Sequence, residues 1–268
     1  MRHMTSRRPT AVEHRPWPLP ARRWVMTQTW SDLLFAHWPV DAAALTGLLP
    51  AGLDLDTFGG AAWLGVVPFR MSGVRLRCLP PVPGTHAFPE LNVRTYVTAD
   101  GKPGVWFLGL DAASPLAVRA ARLWFRLPYF DARMRCVARG DEVAYDSERT
   151  HRGAPAARFE ARYAPLGPPY RSVRGTLEHW LTERYCLYAA GRRGLLRGDI
   201  HHAPWPLQPA RAGITVNTMA AAAGVALPAE PPLLHFARRL DVLCWAPTTI
   251  PTPASTPTRR AEPGPPQG

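Results

Sequence analysis

The sequence predicts a mainly β domain with a few helices, of the α+β class. Segments in which apolar and polar residues alternate dominate the chain, two helix-like stretches interrupt them, and neither a strand–helix–strand rhythm nor an internal repeat is present. The ends, residues 1–22 and 246–268, are rich in Pro, Arg and Thr without apolar periodicity. Such segments bury too little apolar surface to become ordered, so we expect two disordered arms around a single domain at residues 23–245.

The first half of this domain is predicted to form a long strand and two hairpins. The strand covers residues 24–38 and is followed by a short helix that begins after Asp41. Gly59 and Gly60 join two apolar segments, which is typical of a hairpin. The clearest hairpin spans residues 88–111, because apolar and polar residues alternate along its first strand and turn-forming residues follow.

The second half is predicted to contain two helices among further strands. Ser114 and Pro115 are a typical helix start, and Pro128 ends that helix. Residues 132–149 read as a hairpin. A second helix is predicted over residues 175–190, where four apolar residues form one stripe: Leu177, Leu181, Tyr185 and Tyr188. Further strands are predicted at residues 157–167 and 233–245.

The positive charge of the chain is spread along its whole length. The formal net charge is +12, and arginine supplies all of the basic residues except one lysine. Because nucleic-acid binding needs basic residues gathered on one face, we expect no nucleic-acid partner. A basic interaction protein that binds acidic partners or nucleic acid stays open as an alternative function.

Four cysteines lie far apart without a CxxC pair, which indicates neither a zinc ribbon nor a disulfide framework. No apolar segment follows the N-terminal arginines, and no run of 18 apolar residues occurs. We therefore expect a cytoplasmic protein without a signal peptide, a membrane span or a cofactor. Its oligomeric state is left open.

Glu90, Asn92 and Arg94 share one face of a predicted strand. In an open antiparallel sheet this face would meet water. In a closed barrel it would line a cavity, where a carboxylate, an amide and a guanidinium hold a small polar ligand. The sequence leaves both alternatives open.

Two further pairs are candidates for the site. Glu183 and Arg184 are charged residues beside an apolar stripe, and Glu183 could pair with Arg184 or with a partner elsewhere. A charged pair in this context is more often structural than catalytic. His201 and His202 are adjacent, so in a strand they point to opposite faces and do not readily bind one metal ion, and no HxH or HxxxH spacing is present. A metal-dependent lyase or hydrolase is kept as an alternative. The GxSxG, P-loop and GxGxxG motifs are absent from the sequence.

Several stretches together resemble one bacterial family. They are the segment that begins WSDLLFAHWPVDAAALTGLLP, FPELNVRTYV, LTERYCLYAA, IHHAPWPLQPA and LLHFARRLDV, within residues 24–245. The resemblance is to the YqjF-like family, domain of unknown function 2071. It implies a fold of the acetoacetate-decarboxylase-like type, a closed or partly closed antiparallel β-barrel around a cavity, and it implies no established activity.

The decarboxylases of that superfamily use a lysine that forms a Schiff base, and this chain departs from their pattern. Matching FPELNVRTYV to the strand that carries their glutamate assigns that role to Glu90, and it puts Tyr129 and Phe130 where two lysines would stand. The only lysine is Lys102, between turn residues, where we expect a solvated amine. Arginine stays protonated and cannot replace a nucleophilic amine.

The predicted function is therefore the binding of a small organic acid or carbonyl compound in a barrel cavity, without Schiff-base chemistry. If the protein is an enzyme, lyase-like or proton-transfer chemistry without a Schiff base is expected, with Glu90 or a histidine as the base and Tyr129 as the acid. The predicted catalytic residues are Glu90, Tyr129 and His202. The predicted ligand-binding residues are Asn92, Arg94, Glu183, Arg184 and His201.

Overall fold

Thirteen strands and four short helices make up the part of the chain that the structure, a computed structural model, describes: residues 11–79, 87–192 and 194–250. The helices are α1 (Ala42–Thr46), α2 (Pro115–Trp124), α3 (Leu177–Thr182) and α4 (Met219–Ala222). The strands are β1 (Met26–Val40), β2 (Asp54–Leu55), β3 (Ala62–Leu76), β4 (Ala87–Ala99), β5 (Lys102–Ala112), β6 (Tyr129–Arg139), β7 (Glu142–Arg149), β8 (Arg158–Pro165), β9 (Cys186–Gly191), β10 (Gly194–His202), β11 (Gln208–Asn217), β12 (Leu233–Cys244) and β13 (Thr248–Ile250).

The strands form one continuous sheet that closes into a barrel. Its order is β13-β10-β9-β5-β6-β7-β8-β11-β12-β1-β3-β4-β2, and the pairing of β4 with β5 closes a ring of nine strands. The predicted closed β-barrel is thereby confirmed. The sheet is mixed rather than wholly antiparallel, because β5 pairs in parallel with both β6 and β9.

A second ring shares five strands with the barrel. Because β10 also pairs with β12, the strands β12, β1, β3, β4 and β5 close a ring together with β9 and β10. The shared strands therefore have little solvent face. Along β4, Leu91 and Val93 lie in the apolar core of the nine-strand barrel, together with Tyr145 and Phe159 from β7 and β8. The alternate residues of β4 face the second ring.

The helix predicted over residues 175–190 is wrong in its second half. The helix α3 begins after the cap Thr176 and ends at Thr182, and the next ordered element is the strand β9. Leu181 and Tyr185 are buried at a spacing of four, and that spacing fits a helix and a strand equally well. Pairing with β5 and β10 on both sides decides the structure, because long-range contacts override a local pattern.

The predicted hairpin at Gly59 and Gly60 is correct in its turn but not in its pairing. Both glycines have positive φ angles, and Phe58 and Ala61 bond to each other across the turn. The strand β2 before the turn pairs with β4 instead of β3. The two residues of β2 pair with the same edge of β4 as β3 does. The turn therefore leads the chain from one stretch of this edge to the next.

The packed part of the described chain extends beyond the predicted boundaries at residues 22 and 246. Arg15, in the predicted arm, is only 7% exposed and donates a hydrogen bond of 2.7 Å to the carbonyl oxygen of Ile200 in β10. At the other end, β13 pairs with β10. Both segments are held by the second ring, which their composition did not predict. Residues 1–10 and 251–268 of the predicted arms lie outside the described residues.

Candidate functional site

A cavity of about 530 Å³ lies inside the second ring. Residues from all seven strands of this ring and from β6 form its walls, and α2 covers one side. The lining is mostly apolar, with a small number of polar side chains, which is the usual composition of a small-molecule site. The polar side chains at the cavity are those of Gln28, Glu90, Asn92, Arg94, Arg119, Tyr129, Thr182, Arg184, Asp199 and His202.

The polar face of β4 lines this cavity. Glu90, Asn92 and Arg94 are 3%, 6% and 9% exposed and all three contribute to the wall. Leu91 and Val93, between them, are fully buried in the opposite core. Of the two alternatives that the sequence left open, the structure has the closed one, so these polar groups are removed from bulk water.

Glu90 and Tyr129 form a buried acid pair. The Tyr129 hydroxyl donates a hydrogen bond of 3.0 Å to Oε1 of Glu90, and Oε2 has no partner among the described residues. Burial raises the pKa of Glu90 to about 8, although the bond from Tyr129 opposes this shift. Burial and the neighbouring Glu90 raise the pKa of Tyr129 well above its usual value. Both groups are therefore mainly protonated at neutral pH.

Arg94 is a buried cation without an acidic partner among the described residues. Its guanidinium lies 5.1 Å from the ring centre of Phe35 and 5.6 Å from that of Tyr96, and Nη2 lies 3.4 Å from the carbonyl oxygen of Leu181. Its Nε atom and the Oδ1 atom of Asn92 have no hydrogen-bond partner in the described chain. Two aromatic faces offset part of the cost of burying this charge. Both unpaired atoms belong to residues that line the cavity.

Arg184 also lines the cavity but is already paired. Its Nη1 atom lies 2.6 Å from Oδ2 of Asp56, and Nε donates a bond of 2.7 Å to the carbonyl oxygen of Trp180. For Glu183 the sequence left open a pairing with Arg184 or with a partner elsewhere. Glu183 instead accepts hydrogen bonds from the hydroxyl of Tyr185 and the backbone N–H of Trp205, and it is not part of the cavity lining. The ligand-binding role of Glu183 therefore stays a prediction that its place outside the lining does not favour.

The two histidines lie on opposite faces of β10, as their adjacency predicts. His202 lines the cavity, while His201 lies 3.4 Å from Nη1 of Arg15 outside it. Burial, with help from Arg15, lowers the pKa of His201 to about 4. His201 thus contacts the N-terminal segment and is absent from the cavity lining where a ligand-binding role was predicted.

His202 is held by the backbone around it. Its Nδ1 and Nε2 atoms lie 2.8 Å and 3.3 Å from the carbonyl oxygens of Ala203 and Arg184, and its ring stacks on Tyr185 at 4.7 Å. Burial lowers its pKa, so the neutral ring is favoured. Because both nitrogens already have backbone neighbours, the catalytic role predicted for His202 stays a prediction that this geometry does not favour.

Lys102 lies outside the cavity lining. It follows the turn at Asp100 and Gly101, both of which have positive φ angles, and it starts β5. Its Nζ atom is 5.9 Å from the ring centre of Trp17, and its carbonyl oxygen accepts a hydrogen bond of 2.7 Å from Tyr188. The tyrosine at the position matched to a lysine, Tyr129, does line the cavity.

His37 and Tyr96 support Arg94 from behind and were not predicted. The Nε2 atom of His37 lies 2.6 Å from the Tyr96 hydroxyl, and both side chains are fully buried. Burial, followed by the charge of Arg94, lowers the pKa of His37 well below its usual value. In the sequence, His37 is a lone histidine in an apolar strand, and Tyr96 continues the face of Arg94. Only the second feature gave a signal.

Within residues 11–79, 87–192 and 194–250, no three His, Cys, Asp or Glu side chains are grouped closely enough to hold a metal ion. The described helices include none that is long and apolar enough to cross a membrane.

Solved structures share the fold at low sequence identity. Acetoacetate decarboxylase from Legionella pneumophila superposes with a TM-score of 0.60 at 11% identity, over 91% of this chain and 95% of the other. The enduracididine biosynthesis enzyme MppR with HEPES buffer bound has a TM-score of 0.60 at 12% identity, covering 87% and 90%. MppR complexed with the condensation product of pyruvate and imidazole 4-carboxaldehyde has a TM-score of 0.58 at 12% identity, covering 85% and 90%.

A much closer relative is known from sequence. The uncharacterised protein YqjF of Bacillus subtilis strain 168 is 50% identical over 222 residues, which are 83% of this chain and 91% of YqjF. Residues 27–241 match the domain of unknown function 2071, described as an uncharacterised conserved protein. The chain therefore belongs to the domain of unknown function 2071 family, with the acetoacetate-decarboxylase-like β-barrel fold.

Proposed function

We propose that this protein binds a small organic acid or carbonyl compound at the Glu90, Asn92 and Arg94 face of the cavity, without forming a Schiff base. One observation carries the proposal. Arg94 lies buried at the cavity without an acidic partner among the described residues, while the neighbouring Arg184 has one in Asp56. An unpaired buried charge is costly, and a bound carboxylate would compensate it.

The other polar atoms of this face support the same ligand class. The Oδ1 atom of Asn92 and the Oε2 atom of Glu90 have no partner in the described chain. Glu90 is protonated at neutral pH, so its carboxyl group donates one hydrogen bond. A ligand with a carboxylate and a second polar oxygen would engage Arg94 through the first and the Glu90 carboxyl group through the second.

Proton transfer is the chemistry that this arrangement favours if the ligand is turned over. A pKa of about 8 lets Glu90 release and regain a proton near neutral pH, and Tyr129 stays protonated as a donor. The structural neighbour MppR, complexed with pyruvate or with a pyruvate condensation product, has a small carbonyl compound as its ligand. At 11–12% identity this likeness concerns the fold, and the assignment to this chain rests on Glu90 and Arg94.

Calorimetric titration with a set of carboxylates tests the proposal. Arg94→Met is expected to weaken binding at least tenfold, because a charge-assisted contact to a buried carboxylate is worth about 1.5–3 kcal/mol. Arg133→Met is the matched control, since Arg133 lies on β6 with 74% of its side chain exposed. Circular dichroism establishes that both variants are folded. Equal affinity in wild type and folded Arg94→Met, or no binding of any acid, would refute the proposal.

A further inference from the structure

We propose that the cavity takes an amphipathic carboxylic acid, with its carboxylate at Arg94 and an alkyl or aryl body that extends towards α2. This inference rests on the proposed function and adds the substrate class. It depends on where polar and apolar side chains lie along the walls, and on the apolar residues that α2 presents at the cavity.

The polar side chains of β4 that line the cavity form a single row along this strand. On β3, Asn92 lies opposite Val67 and Glu90 opposite Phe69. On β5, the partners of Arg94 and Asn92 are Phe107 and Leu110. All four of these neighbours, Val67, Phe69, Phe107 and Leu110, contribute to the cavity lining. A ligand bound along this row would contact apolar side chains of β3 on one side and of β5 on the other. A short, fully polar acid has no apolar surface to bury against them.

This row of side chains has a polar end and an apolar end. Arg94 lies at the end where its Nη2 atom approaches the carbonyl oxygen of Leu181, next to the lining residue Thr182. Six residues earlier in β4, Phe88 pairs with Met71, and both line the cavity. At the strand rise of about 3.3 Å per residue, these ends are roughly 20 Å apart. Such a length suits a carboxylate with an extended apolar body.

The helix α2 continues the apolar end to the protein surface. Its residues Leu116, Leu123 and Trp124 line the cavity and are 50%, 68% and 57% exposed. Ser114 caps the helix and Pro115 opens it, so its start is fixed against β5. Large apolar side chains that are both at the cavity and in contact with solvent form an entrance for the apolar part of a ligand.

Charge selects the acid among amphipathic molecules. Of the carboxylates at the cavity, Glu90 is neutral at pH 7. The other, Asp199, has Nε of Arg197 at 3.6 Å and Nη2 of Arg22 at 4.0 Å. Arg119 also lines the cavity but is exposed, and Arg184 pairs with Asp56. Arg94 is thus the buried charge of the lining without an ionic partner among the described residues, and an amine or a neutral alcohol of equal length would leave it uncompensated.

A chain-length series separates this inference from the proposed function. Dissociation constants are measured for acetate, butyrate, hexanoate and octanoate, with octylamine and octanol as controls for the charge. Each methylene that becomes buried is expected to tighten binding about fourfold. Octanol and octylamine are expected to bind more weakly than octanoate, and Arg94→Met to remove that preference.

The entrance is tested with Leu123→Ser, an exposed position whose change leaves the core intact. This variant is expected to weaken octanoate several-fold and to leave acetate and pyruvate unchanged. If short polar acids bind and the affinity does not rise with chain length, the amphipathic ligand is wrong and the proposed function stands. If no acid in the series binds, both fail. Octanol binding as tightly as octanoate would also overturn the inference.

Discussion

The Tyr129 hydroxyl lies 3.0 Å from the Glu90 carboxylate oxygen Oε1, at the chain position that the acetoacetate-decarboxylase resemblance assigns to a lysine. A phenol in that place donates a hydrogen bond to the acid instead of pairing with it as a cation. The acid therefore keeps its proton in the buried site, with a pKa of about 8. Beside Tyr129 the Glu90 carboxyl group is protonated, whereas a neighbouring ammonium group would favour its ionised form.

The affinity for a carboxylate should depend on this proton. Below pH 8 Glu90 is neutral, so affinity is expected to be constant. Above pH 8 Glu90 of the free protein is ionised and repels a carboxylate ligand. Affinity is therefore expected to fall as the pH rises, up to tenfold per pH unit. Octanoate titrations between pH 6.5 and 9.5 measure this.

Glu90→Gln provides the control for that prediction. The amide has the same shape and does not titrate, so its affinity should stay constant across the range. A wild-type affinity that is equally constant, or a decline that persists unchanged in Glu90→Gln, would mean that Glu90 does not control binding.

The same shift predicts how stability depends on pH. The pKa of Glu90 is about 8 in the folded protein against an ordinary value of 4.5, so between these values the folded state holds a proton that the unfolded chain has lost. Wild type therefore loses stability relative to Glu90→Gln as the pH rises from 4.5 to 8, by about 4 kcal/mol at most. Urea unfolding at pH 5, 6.5 and 8 measures the difference. The exposed Glu230→Gln serves as a control, and a difference that does not grow with pH would contradict the shift.

Gly65 leaves the space in which Arg94 lies. A Cβ atom at this position would be 3.0 Å from the His37 ring and 3.4 Å from Cγ of Arg94. Gly65→Ala is expected to cost about 1–3 kcal/mol in unfolding free energy and to weaken carboxylate binding. Gly213→Ala in β11 is the matched control, because nothing lies within 4 Å of its added methyl group. Equal effects of the two variants would show that Gly65 has no special role.

Lys102 is expected to take no part in ligand chemistry. Incubation with pyruvate and borohydride should leave the mass of the protein unchanged, because the amine lies at the Trp17 ring and outside the cavity lining. Lys102→Arg keeps the cation and should bind ligands with wild-type affinity. A reduced adduct mapped to Lys102 by peptide mass spectrometry would restore Schiff-base chemistry as a mechanism.

The sequence predicted the strand of the site but not its surroundings. The alternation from Glu90 to Tyr96 is a local pattern, and it predicted β4 and its polar face correctly. Whether that face meets water depends on β9 and β10, which close the second ring through pairs distant in the sequence. The local pattern of apolar and polar residues does not predict these long-range strand pairs, so the cavity could not be predicted from the sequence alone.

Glu183 illustrates the second limit of the sequence. Its position beside Arg184 in a predicted helix left its partner open between Arg184 and a residue elsewhere, and the helix ends at Thr182, before both residues. Glu183 then bonds to Trp205, 22 residues further along the chain. Partners of this kind are fixed by how loops pack, and no periodic pattern encodes them.

β4 belongs to both rings, and this sharing has a consequence for how substitutions spread. Leu91 and Val93 lie outside the cavity lining, but their packing in the barrel core fixes the position of the backbone that carries Glu90, Asn92 and Arg94. A smaller residue at Leu91 or Val93 would allow the backbone of β4 to move towards the barrel core and away from the cavity. Substitutions in the barrel core, behind the cavity wall, therefore change where Glu90, Asn92 and Arg94 lie within the cavity.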